Sequence, residues 1–367
     1  MNYYDLLAGC FDLDERSPNR DALREPNLNW EFLIRTAQQE LVLPSVKSSL
    51  ERSGMMSQLP SEVSDFFCGV EDLNGERNET IFRELMTVVE LLNKCGIEPV
   101  LLKGAAYCAT GVYTNPASRY LMDVDLLVPK QQLSSATVAL SRCGFDWDRN
   151  DRLGCFRHHH PPLRRPGAVS FELHHSLGMG ICSSLLPAPE VLERSVQVEF
   201  LGTRFRVPCS DHLMTHLVIH SQIHHPYNER IWPSLRSMYD LVLLQRRFGN
   251  EIDWTGIERR FREVGRLELL GLHLLQVRDV LGLEKPIPFY LSGLTYLRWT
   301  RRKLLRRMPL LRFLDPVYIY STIFVRRLWV LRQAFGMPGG RAQIVRELFA
   351  PGVYKRLLTE AMQGPGR

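Results

Sequence analysis

With 367 residues, 45% of them hydrophobic and 23% charged, the chain has the composition of an ordinary folded protein, large enough for a sizeable core with helical additions. Its formal charge of +6 is modest, but Arg298, Arg301, Arg302, Lys303, Arg306 and Arg307 crowd one late segment, which is either a solvated helix face or a surface for an acidic partner. The eight cysteines lack the paired spacing of a zinc knuckle or disulfide framework, and the opening MNYYDLLAGCFDLDER carries acids where a signal peptide needs a basic start. The apolar stretch from Phe313 to Val325 is too short to span a bilayer. These features predict a cytoplasmic protein with no transmembrane segment, whose basic C-terminal region leaves peripheral contact with a membrane surface open.

Helical spacing comes first. Trp30, Leu33, Ile34, Ala37 and Leu41 share a face until Pro44 interrupts them. A second helix is expected after Asn78 as N-cap, with Ile81, Leu85, Val88, Val89 and Leu92 inward and Gly96 ending it. The period then changes. Ile97 to Leu102 reads as a buried strand entering a turn at Lys103-Gly104, and Leu126 to Val128 as a second strand. Leu133 to Leu140 reads as a helix closed by Gly144, with Phe145 to Trp147 and Val169 to His174 as further strand candidates. From Ser210 the helical period returns, and the tail from Gln363 is expected to fray. The prediction is an α+β fold, a small mixed sheet flanked by helices, divided into a helical N-terminal region (1–77), a core (78–208) and a helical C-terminal domain (209–367).

On a strand, alternate side chains share a face, so Asp123 and Asp125 of MDVDLLV point together while Val124, Leu126 and Val128 point to the core. Two like charges so close are either neutralised by a cation, for which carboxylate oxygens suit Mg2+ or Mn2+, or belong to a solvated turn at the strand end. In VSFELHH, Glu172 alternates with Phe171 and Leu173, which lets it join Asp123 and Asp125 as a third carboxylate. Phosphoryl and nucleotidyl transfer use such a set, because metal ions there neutralise charge on a triphosphate and its departing pyrophosphate. Glu172 is also a candidate proton acceptor for an attacking hydroxyl. Lys103 and Gly104, between a strand and a helix, are candidates for holding phosphate, and Arg119 either binds a phosphate oxygen or pairs with a carboxylate.

LLKGAAY, RYLMDVDLLV and VSFELHHSL, in that order, resemble the DNA polymerase beta superfamily of nucleotidyltransferases, and in particular its bacterial branch of uncharacterised nucleotidyltransferases. The resemblance runs from the Trp30 helix through LRSMYDLVLLQRRF to Ile252–Trp254. It implies a minimal nucleotidyltransferase fold in which the turn at Gly104 holds phosphates, Asp123 and Asp125 bind metal, and Glu172 is the third acid. Ala105 departs from the pattern, standing where a Ser or second Gly commonly follows the glycine. The implied activity is transfer of NMP, AMP on family precedent, from a nucleoside triphosphate to an acceptor hydroxyl on a protein, small molecule, glycan or RNA. The alternatives are a degenerate nucleotide-binding protein, and a transferase using another phosphorylated donor in polysaccharide or natural-product biosynthesis.

The histidines are less informative. Consecutive side chains of His158, His159 and His160 diverge, which suits the rim of a site better than a zinc centre. His212, His216, His220 and His224 make a helical stripe expected to pack against the sheet or partner acids. His174 beside the acids, and His220 with Asp240 as a hydrogen-bonded pair, are candidates for a supporting role around the site.

Overall fold

The computed structural model describes residues 3–11, 23, 25, 27–147, 158–224, 233–283, 291–308 and 311. The segment 313–325 and the tail from residue 363, both singled out above, lie outside them. Four helices come first: α1 (Tyr3–Phe11), α2 (Trp30–Gln39), α3 (Leu43–Arg52) and α4 (Ser61–Lys94). The Asn29 side chain caps α2, whose Leu33 and Ala37 are buried, and Pro44 lies in the first turn of α3, where its missing N–H costs nothing.

Asn78 is no cap. Helix α4 runs through it without a break, and Asn78 is buried at mid-helix with its amide donating to the carbonyls of Pro116 and Arg119, both at 2.8 Å. Asn74, one turn earlier, donates to Ala117 O and Arg119 O. An asparagine that looked like a helix start is a tertiary clamp on the loop leading to Asp123. The boundary drawn between residues 77 and 78 falls inside this helix.

Gly96 ends α4 as expected, with φ +71°. Its N–H bonds Asn93 O and the Ile97 N–H bonds Leu92 O, which is the paired bonding of a Schellman motif. Ile97 is therefore committed to the helix end, and strand β1 is only Val100–Leu101. Next come α5 (Lys103–Ala109), β2 (Asp123–Leu127), α6 (Leu133–Arg142) and β3 (Ser170–His174). Phe145 to Trp147 does not form a strand; Asp146 makes a single bridge with Arg164. Short helices α7 (Ile181–Leu185) and α8 (Ala188–Glu193) lead to a hairpin that went unread in the sequence, β4 (Val196–Phe200) and β5 (Thr203–Val207). Its turn is Leu201-Gly202, both at positive φ, as a two-residue type I′ connection requires.

The five strands make one mixed sheet in the order β3-β2-β1-β5-β4, with β2 parallel to β3 and β1 antiparallel to β2. Helix α6 packs on β3 and α4. The helical C-terminal part contains α9 (Ser210–Ile219), a π-turn over 220–224, α10 (Leu235–Phe248), α11 (Trp254–Glu263), α12 (Leu267–Leu281) and α13 (Gly293–Arg307). Glu190 of α8 ties it to the core by accepting from Arg260 of α11 and from His212 of α9 at 3.1 Å.

The arginine-rich segment is α13 itself, packed on α12. Arg302 is buried, and Asp279 accepts from Lys303 at 3.0 Å and from the Trp299 indole at 2.7 Å. Part of the segment therefore belongs to the packing rather than to an open basic face. No helix among the described residues is long and apolar enough to cross a membrane.

Candidate active site

The sheet register assembles the acids. Asp125 lies directly opposite Glu172 on the parallel pair β2–β3, Asp123 lies opposite Ser170, and Leu127 opposite His174. Because side chains alternate, Asp123, Asp125, Glu172 and His174 all stand on one face of the sheet. Asp125 is buried and Asp123 half-buried.

Antiparallel pairing with β1 brings in Lys103. The Leu102 N–H bonds Asp125 O at 3.0 Å, and the next residue, Lys103, takes a left-handed φ of +49° as α5 begins. That conformation is uncommon for a side-chain-bearing residue. It sends the ammonium to Asp125 Oδ1 at 2.6 Å. His174 Nε2 donates to the same oxygen at 2.7 Å and lies 3.6 Å from Glu172 Oε2. A carboxylate only accepts, so Nε2 carries a proton in this arrangement, while the buried Nδ1 has no hydrogen-bond partner among the described residues.

These contacts set the charges. Burial opposes ionisation of Asp125, but the Lys103 ammonium and the His174 ring outweigh it and hold the carboxyl far below the usual range. Burial likewise opposes Glu172, and the neighbouring His174 ring outweighs it, again lowering the pKa. His174 itself is raised: burial works to lower it, and its bond to Asp125 and the nearby Glu172 carboxylate prevail. Asp123 goes the other way. Burial, then repulsion from Asp125, pushes its carboxyl up to about 6.

Asp125, Glu172 and His174 place one potential ligand atom each within 4.8 Å of one another, the only such His, Cys, Asp or Glu group among the described residues. Two carboxylate oxygens and an imidazole nitrogen, with a further carboxylate at Asp123, fit a divalent cation; His174 Nε2 would first have to release its proton.

A raised Asp123 makes a prediction about the metal-free protein. Its folded-state pKa lies above the ordinary 3.8, so the folded state binds the extra proton and loses stability as pH rises from about 4 through about 6. Asp123→Asn should therefore stabilise the metal-free protein at pH 7.5 by on the order of 2 kcal/mol, visible as a melting point a few degrees higher. The gain should shrink toward zero at pH 4. A variant that melts at or below the native temperature at pH 7.5 contradicts this electrostatic picture.

Beside the carboxylates opens a cavity of about 320 Å³, lined by Lys103 and Asp123 from the sheet side, Glu40 from the N-terminal helices, and His216, His220 and Arg236 from the helical C-terminal part. Its volume lies within the range of small-ligand sites. Arg119 and Asp240 reach its wall but are already engaged: Arg119 Nη2 bonds Asp240 Oδ2 at 3.0 Å, and the Tyr113 hydroxyl donates to Asp240 Oδ1 at 2.6 Å. Of the two roles expected for Arg119, the structure shows the pairing with a carboxylate. Asp240 thus takes Arg119 and Tyr113 as its described partners, where the sequence suggested His220; His220 shares the cavity wall with it.

Gly104 packs closely against Leu121. A Cβ there would meet Leu121 Cδ2 at 2.7 Å. Neighbouring Ala105 is fully buried. The 158–160 run sits along β3, with His159 bridged to His174 and the His158 and His159 rings 5.3 and 5.1 Å from the His174 ring. His159 Nδ1 faces His160 O at 2.8 Å and so donates. The run therefore borders the acids, as a rim would. The histidine stripe splits, His212 pairing with Glu190 while His216 and His220 face the cavity. Arg236, absent from the sequence reading, had no local motif to announce it.

A mixed sheet flanked by helices, with acids converging from adjacent strands beside a cavity, is consistent with a nucleotidyltransferase fold. The chain belongs to the uncharacterised nucleotidyltransferase family, whose model matches residues 26–282. A search of curated proteins finds no match.

Proposed function

We propose that this protein transfers the nucleoside monophosphate of a triphosphate, AMP on the family resemblance, to a hydroxyl of an acceptor and releases pyrophosphate. The observation that carries the reading is the pairing of Asp125 with Glu172 across parallel strands, with Asp123 on the same face at a cavity of about 320 Å³. Asp123, Asp125 and Glu172 would hold Mg2+ or Mn2+, with His174 in reach as a further ligand. Bound there, the cation supplies charge neutralisation at the attacked phosphorus and at the leaving pyrophosphate.

The chain's own groups supply the rest. The acceptor oxygen forms a bond to the α-phosphorus, the bond from that phosphorus to the αβ-bridging oxygen breaks, and the electron pair leaves with pyrophosphate. Glu172 takes the hydroxyl proton, since Asp125 is engaged by the Lys103 ammonium. Lys103 and His174, both on Asp125 Oδ1, hold that carboxylate oriented and ionised.

A second reading is favoured by one observation. Ala105, buried and without a hydroxyl, stands at the turn where the superfamily that the sequence resembles commonly has a Ser or a second Gly, which suits a nucleotide-binding protein with little turnover. Thermal-shift screening with Mg2+ and each of ATP, CTP, GTP and UTP separates these readings when coupled to pyrophosphate detection. Stabilisation with pyrophosphate release supports transfer; stabilisation without release, across a panel of acceptor extracts, supports the binding protein. No stabilisation by any triphosphate removes both.

A further inference from the structure

The cavity beside Asp123 carries three arginine or lysine side chains, and two are already spoken for. Lys103 is on Asp125 at 2.6 Å and Arg119 on Asp240 at 3.0 Å. The third, Arg236, lies in the first turn of α10, half-buried, and makes no hydrogen bond or ion pair among the described residues. Glu40, which shares the cavity wall, accepts from the Leu235 N–H at 3.1 Å, and the acids whose charge reaches Arg236 are Asp240 and Asp123. Withdrawing a guanidinium from water next to Arg119 without a bonded carboxylate is unfavourable. Burial and then Arg119 both work against its charge.

A cation left in this state opposite a carboxylate cluster matches the two ends of a metal-bound polyphosphate. The α-phosphate belongs at the acids, and the tail must run across the cavity to a positive group. We propose that Arg236 is the anchor of the polyphosphate tail, its planar fork holding non-bridging oxygens of the β- and γ-phosphates. The inference rests on the nucleotidyl-transfer reading above. It adds a residue from the helical C-terminal part, so that the donor bridges that part and the sheet. Arg suits the task better than Lys because two parallel N–H donors match two phosphate oxygens.

The same chemistry would serve a phosphate carried by the acceptor, and calorimetric titration distinguishes the sources. The native protein and the variants Arg236→Gln and Arg236→Lys are titrated, in Mg2+, with ATP, AMP and inorganic tripolyphosphate. Arg236→Gln should weaken ATP and tripolyphosphate about 10- to 100-fold and leave AMP unchanged, with Arg236→Lys recovering part of the loss. Tripolyphosphate should also compete with ATP for the native protein. Unchanged ATP affinity in Arg236→Gln, at an unchanged melting temperature, overturns the inference while leaving nucleotidyl transfer standing. ATP and tripolyphosphate binding together overturns it too, since the anion site then belongs to the acceptor. Native protein that binds tripolyphosphate through Arg236 but no nucleoside triphosphate keeps the anion site and contradicts the reading on which the anchor rests.

Discussion

Asp125→Asn is expected to reduce metal-dependent pyrophosphate release by at least about 10²- to 10³-fold, the scale on which preorganised charge stabilisation is lost when one contributor is removed. The substitution keeps the shape of the side chain and removes its charge. It strips one ligand from the Asp125–Glu172–His174 group and leaves Lys103, 2.6 Å away, and His174, 2.7 Å away, facing a neutral amide. Both consequences follow from one residue, so stability must be measured with activity. Loss of a buried partner should cost about 2 to 4 kcal/mol in chemical denaturation, the lower part of the range reflecting the partly exposed Lys103. Combining it with Lys103→Met should recover part of that stability and none of the activity. A single variant that keeps native turnover would remove Asp125 from the chemistry.

Asp240→Asn should be the most damaging single change away from the acids, costing about 3 to 5 kcal/mol. Arg119 and Asp240 are both almost fully withdrawn from solvent, with 3% and 4% of their side chains exposed. The Tyr113 hydroxyl completes the carboxylate, and burial together with Asp240 pushes the Tyr113 pKa well above its ordinary value. Neutralising Asp240 leaves a buried guanidinium without compensation. The damage reaches the site, because Arg119 closes the loop that Asn74 and Asn78 clamp and that runs into Asp123. Replacing both partners, as Arg119→Met with Asp240→Leu, should cost less than Asp240→Asn alone. Denaturation curves in which Asp240→Asn costs under about 1 kcal/mol would show that the pair contributes little.

What the sequence disclosed follows from periodicity. Alternation was enough to place Asp123 and Asp125 on one face of their strand and to separate Glu172 from Phe171 and Leu173 on its own, because a strand's side-chain direction is fixed by its period. The register that sets Asp125 opposite Glu172 is a long-range property and was not readable. Asn78 misled because a short polar residue before an apolar run looks the same whether it caps its own helix or reaches a distant loop. The β4–β5 hairpin was legible in principle: VQVEF and TRFRV alternate around a two-residue turn containing Gly202. Lys103 was read as a phosphate ligand; its bond to Asp125 depends on a left-handed backbone that no residue type at that position announces. Arg236 escaped for a related reason, since its meaning depends on what surrounds it rather than on its neighbours in sequence.

The central claim is that the α-phosphate of a triphosphate moves with its nucleoside. Incubating the protein with Mg2+, an acceptor-containing extract, and ATP labelled at either the α- or the γ-phosphorus tests it directly. Nucleotidyl transfer predicts that α-label becomes acceptor-bound while γ-label leaves as pyrophosphate, and that Asp123→Asn with Asp125→Asn ends both. Acceptor carrying γ-label and no α-label would contradict the account and make the protein a phosphotransferase.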